Sequence, residues 1–361
     1  MADRAPGVVI VGTGFGCRVH TPAARHAGLD VVALVGTDAA RTERRAGRAQ
    51  IERSFTSLSA ALALPNADVV VIATPPDSHA SLAEEAIAAG RHVLVEKPFT
   101  LDSDEAARLV EAAERAGVTA LVGHEFRFAR ERVTLLHAIA DGLIGQPLLA
   151  TLLGHADFLA RFAHVMPAWW YQRGRGGWLG AAVSHRIDAV RVWLGDIATV
   201  SAGLLTSDPN ASEDRAEDTV SMRFTLRSGC EGVLQDSAAV WGGALSITTV
   251  AGTAGTAAIT PAGVTLADAD GVRTLAPAGP DYPVPVPPSD APGRELLHIE
   301  LEPAVVQAMV LADLVAGRAP RYDAVAPATF ADGLACMQVL DAVRRSAREG
   351  GAAVTVEAAR R

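Results

Sequence analysis

Four β-branched residues, Val8-Val9-Ile10-Val11, run directly into Gly12-Thr13-Gly14-Phe15-Gly16, and a helical stretch follows from about Arg18 to Ala27. A short, uninterrupted apolar run of this kind is a strand buried on both faces, as in parallel sheets covered by helices. The first glycine permits a sharp turn, and the second lets a ligand come close to the backbone. The helix beyond presents unpaired N–H groups to negative charge. Glycine-rich turns also arise for packing alone. The flanking strand and helix distinguish this one and predict a cradle for the pyrophosphate of a dinucleotide, lined by Gly12, Thr13, Gly14, Phe15 and Gly16. The third glycine of the usual spacing would fall at position 17, where Cys17 stands; Gly16 comes one place early.

The same alternation continues. Apolar runs at 31–35, 69–73, 93–95 and 120–122, with a shorter one at 51–55, are separated by helical stretches. Asp38 is placed to cap the helix over 39–49, and Ser57 to cap a small helix ending near Pro65. Gly90 closes the helix over 79–89, and Asp102 with Glu105 opens the one that Gly117 ends. Strand and helix in turn over residues 1–123 predict a doubly wound parallel sheet with right-handed crossovers. After Gly123 the texture changes. Helices are expected at 131–141 and 183–194, with a strand at 148–153 and an irregular segment at 157–180. Apolar residues then alternate in 220–226, the period of a half-buried antiparallel strand. Similar strands follow at 231–240, 245–251, 256–260 and 264–275, then a Pro- and Gly-rich loop at 277–293 and helices at 300–316 and 327–348. Residues 124–361 are thus expected to form an α+β domain with a large, mostly antiparallel open sheet and helices on one side. The fold class is α/β.

The 361 residues carry a formal net charge of −9. This balance argues against a nucleic-acid or anionic-membrane partner, which would require a basic excess. Cys17, Cys230 and Cys336 lie far apart, match no disulfide framework and no metal-site spacing, and fit a reducing cytoplasm. No apolar run reaches the length of a bilayer span, and the N-terminal residues lack an apolar signal core. No bound metal is expected.

Ligands of an open parallel sheet bind beyond the carboxyl ends of its strands. Thr74, Pro75 and, at the start of the next helix, His79 follow the fourth strand and are expected to line the cofactor. Glu96-Lys97-Pro98 ends the fifth. A lysine there can hydrogen-bond a substrate oxygen and stabilise its developing charge, whereas a lone lysine before a turn proline would be an ordinary surface residue. About 20 residues past the glycine turn the chain reads Gly36-Thr37-Asp38, with no acid at the strand tip to grip a ribose 2′-hydroxyl. Gly36 and Thr37 leave room and Arg41 can neutralise a phosphate, which leans toward NADP over NAD. Asp38 points the other way if it turns inward.

The set of motifs resembles the glucose–fructose oxidoreductase, inositol dehydrogenase and rhizopine-catabolism family. It is carried by Gly12-Thr13-Gly14-Phe15-Gly16, Ala73-Thr74-Pro75-Pro76-Asp77-Ser78-His79, Glu96-Lys97-Pro98, and Gly176-Gly177-Trp178-Leu179 leading to His185-Arg186-Ile187-Asp188. The resemblance implies a Rossmann domain followed by an α/β domain whose open sheet forms a homodimer or homotetramer contact. It implies an NAD(P)-dependent dehydrogenase of a small polyhydroxy substrate, with Lys97 beside the nicotinamide. It also implies a Lys97–Pro98 bond that is often cis, and His185 as the catalytic histidine. Glu96 is expected to touch the cofactor. His185 and Asp188 are three apart on one helix face, where a carboxylate can orient an imidazole for acid–base work. The sequence departs from the family at Ala181, where many members carry an Asp. Either Lys97 and His185 suffice, or Asp188 substitutes, or the activity has drifted toward sensing or toward a transient internal redox cycle. Arg127, Arg161 and Trp170 are read as substrate-binding. Arg173 and Arg175, with Trp169 and Tyr171, share the Arg- and Trp-rich segment, whose composition equally suits an oligomer contact.

Overall fold

The computed structural model describes residues 4–162, 166–208, 210–242, 245–279 and 294–357. They divide into two compact units. The first holds β1 (Gly7–Val11), β2 (Asp30–Val35), β3 (Ser54–Phe55), β4 (Val69–Ile72), β5 (His92–Glu96) and β6 (Ala120–Gly123). These pair in the order β3-β2-β1-β4-β5-β6, every pair parallel. The order reverses direction at β1, and the crevice beyond the strand ends at such a switch point is where this architecture takes a dinucleotide. Asp38 and Ser57 cap their helices through Arg41 and Ala60. The expected third strand, 51–55, shrinks to two residues.

Residues 294–334 belong to this first unit, although they follow most of the second sheet in sequence. Their long helix, Arg294–Val315, begins before the expected residue 300 and continues through Pro303. Leu301, Val305, Ala308 and Ala312 recur at helical spacing and join Ile10, Val71, Leu94 and Leu121 in one buried cluster. Burial on both sides of Pro303 outweighs the single backbone hydrogen bond that a proline forfeits.

The second unit is built on a nine-stranded sheet. Its strands are β7 (Pro147–His155), β8 (Ile197–Leu205), β9 (Thr219–Leu226), β10 (Glu231–Ser237), β11 (Leu245–Gly252), β12 (Gly255–Thr260), β13 (Gly263–Asp268), β14 (Gly271–Thr274) and β15 (Val354–Thr355). The order is β14-β13-β12-β11-β7-β10-β9-β8-β15, and β7 with β10 is the parallel pair among otherwise antiparallel neighbours. β8 and the two-residue β15 were not expected from the sequence, and one expected strand is divided. β8 went unread because a register shift between Ile197 and Thr199 breaks its two-residue period. The stretch 264–275 is a hairpin, broken where Asp268 accepts the N–H of Asp270 and Gly271 takes φ +118°. Of the expected loop at 277–293, the part from residue 280 on lies outside the described residues. The helix Arg130–Ala140 packs on β12 and β13. On the other face, Leu149, Val233 and Leu205 stand exposed.

Candidate functional site

The glycine turn has the geometry of a cradle. Gly12 adopts φ +115°, and a Cβ there would collide with the Ala73 carbonyl at the end of β4. Around Gly14 nothing lies within 4 Å of where a Cβ would stand, which leaves open space over the backbone. Gly16 is packed so closely that a Cβ would come within 2.7 Å of Ile10 on β1. The residue that permits helix and strand to meet is therefore Gly16, one place before the usual position, and Cys17 is half-buried beside it. A one-turn π-helix, Gly16–His20, runs into the helix Thr21–His26. Its shifted hydrogen bonding accommodates the early glycine. These residues fit a dinucleotide pyrophosphate.

At the tip of β2, Asp38 turns to the helix that follows and accepts the N–H of Arg41 at 2.7 Å. Its carboxylate thus serves as a cap. The space expected around Gly36 is already filled, since a Cβ there would meet Thr13 and Thr42 at 2.5 Å. Thr37 and Arg41 are exposed, 3.4 Å apart between hydroxyl and guanidinium. Arg45 grips the turn itself, donating to the Thr13 carbonyl at 2.6 Å and hydroxyl at 3.0 Å. Its distance in sequence hid this role.

Three expected contact residues are buried and held by protein partners. His79 is fully buried; its Nδ1 lies 3.0 Å from the Pro98 carbonyl and its Nε2 2.9 Å from that of Thr74. It clamps the end of β4 to the end of β5, and desolvation holds its ring pKa below the usual value. Glu96 turns inward, bonding His20 Nε2 at 2.8 Å and accepting the Lys97 N–H at 3.1 Å. Arg127 is buried, and its guanidinium is engaged by Asp332 at 3.2 Å and the Ala326 carbonyl. Buried cations of this kind are held by such partners. Thr74, half-buried, accepts the Ser78 hydroxyl at 2.7 Å, and Pro75 is exposed.

Lys97 is half-buried at the carboxyl end of β5, and the Lys97–Pro98 bond is cis. It is also the sole lysine of the chain: every other member of the 32 Lys and Arg residues is an arginine. A composition that replaces lysine by arginine everywhere else retains a flexible primary ammonium at this one position. Arg cannot reproduce its compact point charge or readily shed a proton.

The proposed acid–base residues are divided between the units, with Lys97 in the first and His185 and Asp188 in the second. The latter two are buried on one side of the helix Ser184–Leu194. A π-turn, Leu179–Val183, leads into it and contains buried Ala181. Two acids that sequence spacing did not reveal hold this entry. Glu217 accepts the Leu179 N–H at 3.0 Å and fills the space above Gly177, and burial raises its carboxyl pKa. Asp236 accepts the Trp178 indole N–H at 2.7 Å and pairs with Arg186. Trp170 stacks on Phe158, and both rings pack against Trp178. Arg161 is exposed on the short helix Phe158–Phe162, beside Asp157 and the Phe162 ring.

Residues 7–124 match the model of an oxidoreductase family with an NAD-binding Rossmann fold, and residues 133–258 match the GFO/IDH/MocA C-terminal domain. Similar proteins include the D-apiose dehydrogenase of Paraburkholderia graminis, 34% identical over 63% of this chain and 59% of that protein. The 1,5-anhydro-D-fructose reductase of Ensifer adhaerens is 31% identical over 57% of this chain and 61% of its own length. The matched region thus spans less than two thirds of these curated relatives. Among solved structures, a levoglucosan dehydrogenase in complex with NADH and levoglucosan superposes with a TM-score of 0.83. It covers 98% of this chain and 100% of its own at 23% identity, a likeness of fold.

Proposed function

Because the chain belongs to the GFO/IDH/MocA family of oxidoreductases, we propose that it transfers a hydride between nicotinamide C4 and a carbon of a sugar, cyclitol or related polyhydroxy compound. The observation that carries this reading is the sole lysine, Lys97, at the strand edge where an open parallel sheet binds its ligands. Relatives named as an apiose dehydrogenase and an anhydrofructose reductase support the substrate class. When bound, the nicotinamide supplies the hydride acceptor or donor. Lys97 donates a hydrogen bond to the reacting oxygen and offsets its charge. His185 takes the hydroxyl proton in oxidation and returns it in reduction, with Asp188 as the acid that stands in for the one missing at Ala181. Arg161 and Trp170 contribute to the substrate side.

For the cofactor we favour NADP. Asp38 is committed to its helix cap, and Arg41 stands exposed beside Thr37 where a 2′-phosphate would lie. The open face of the large sheet serves a homodimer or homotetramer. The three free cysteines suit a reducing cytoplasm.

A panel of sugars and polyols, assayed at 340 nm with NADP and with NAD, tests this reading. Turnover of at least one member with a preference for NADP is expected. Tight dinucleotide binding with no substrate conversion of any kind would overturn it. The alanine at 181 favours one second reading, a transient oxidation followed by re-reduction, which the panel would reveal as product formed without net absorbance change.

A further inference from the structure

A buried carboxylate joins the backbone of Lys97 to the glycine turn, and the proposed chemistry makes no use of it. Glu96, at the end of β5, and His20, at the end of the π-turn Gly16–His20, are both buried. Glu96 Oε1 lies 2.8 Å from His20 Nε2, and Oε2 accepts the Lys97 N–H at 3.1 Å. Burial pushes the Glu96 carboxyl up, while the His20 hydrogen bond and the nearby Lys97 charge pull it down, and the result lies below the ordinary value. An ionised carboxylate offers only lone pairs, so Nε2 carries the hydrogen of the His20 contact. A buried anion of this kind persists only with such partners.

The surroundings are shaped to this group. Gly123 on β6 pairs with Glu96, and a Cβ at position 123 would come within 2.6 Å of Oε1. Glycine there leaves the room that the carboxylate fills. On the far side, the His20 ring meets the ring of Phe15 in the glycine turn edge-on, with 5.3 Å between centroids. The Thr21 hydroxyl donates to the Gly16 carbonyl at 3.0 Å, which ties the next residue back to the same turn. Beyond Lys97, the Pro98 carbonyl is held by His79, so the backbone is anchored on both sides of the lysine.

We infer that Glu96 is a positioning residue that couples the dinucleotide cradle to Lys97. One small anion receives hydrogen bonds from two elements, one on each oxygen, and a shift of either donor displaces the other. A ligand that moves the glycine turn moves His20, and the shared carboxylate passes that movement to the Lys97 amide. Close packing around the pair leaves little slack to absorb it, and contiguous packed and hydrogen-bonded side chains are how such coupling is carried. This rests on the reading of Lys97 as the group that meets the reacting oxygen, but the coupling itself is measured without turnover.

Because the chain has one lysine, protein grown with ¹⁵N-lysine gives a single backbone amide signal in NMR, that of Lys97. ADP-ribose and its 2′-phosphate carry the pyrophosphate but no nicotinamide ring, so they probe the cradle alone. Saturating the parent protein with the tighter-binding of the two should displace the Lys97 amide signal. That displacement should fall by more than half in probe-saturated His20→Leu and Glu96→Ala. It should be retained in His20→Gln, whose side-chain N–H still reaches the carboxylate. A signal that stays in place in the probe-saturated parent would overturn the inference. So would an undiminished displacement in either folded variant, His20→Leu or Glu96→Ala, and each serves where the other does not fold. No substrate takes part, so a failed oxidoreductase assay and a failed coupling are told apart.

Discussion

Single residues carry different weights here than their types suggest. His79, Glu96 and Arg127 have the chemistry of ligand-binding side chains, yet each is buried and engaged by protein partners. A polar group taken out of water must find such partners. Lys97 is the opposite case, a residue type kept at one place in the chain. Replacing Lys97 by Ala is expected to lower kcat by about 10²–10⁴-fold, the usual weight of a positioned proton donor. Dinucleotide affinity, measured by nicotinamide fluorescence, should stay nearly unchanged because the glycine cradle is intact. Unaltered turnover would remove Lys97 from the mechanism.

At the level of elements, the long helix Arg294–Val315 supplies core side chains to the first unit. Its C-terminal turn is anchored by Asp313, which is buried and receives Arg321 at 2.7 Å and Arg318 at 2.9 Å. The Arg321 hydrogen bonds hold the Asp313 carboxyl far below the ordinary range. A depressed folded-state pKa adds stability that is fully present above the unfolded value of about 4 and is lost as pH falls through the folded one. Asp313→Asn is therefore expected to cost about 2–3 kcal/mol in denaturant unfolding at pH 7. Its deficit relative to the parent should narrow steadily below about pH 4. An equal deficit at pH 7 and at pH 2 would show that the pairs act through packing instead.

On the scale of the whole molecule, the nine-stranded sheet has one covered and one open face. Leu149 and Val233 project from the open face at 58% and 45% exposure, on the central strands β7 and β10. Apolar side chains in mid-sheet are better hidden than solvated, at about 25 cal/mol per Å² removed from water. The paired substitution Leu149→Glu, Val233→Glu is expected to shift a dimer or tetramer to monomer in light scattering, with the fold retained by circular dichroism. A parent chain that is monomeric at micromolar concentration would exclude the sheet as an interface.

Short-range order was legible along the chain. The β-branched run before Gly12, the caps at Asp38 and Ser57 and the alternation in 220–226 depend on neighbours a few residues away, and periodicity records those directly. Family membership was equally readable, since its motifs are contiguous. What only the tertiary structure decided depends on residues far apart in sequence. Gly16 takes the packing role against Ile10 across a tight helix–strand contact, β8 hides behind a register shift, and residues 294–334 return to the first unit. Glu217 and Asp236, at the entry to the His185 helix, come from distant elements. No spacing rule reaches them, because burial and electrostatics act through space. The glycine turn was a property of the sequence; the packing of Gly16 on Ile10 is a property of the fold.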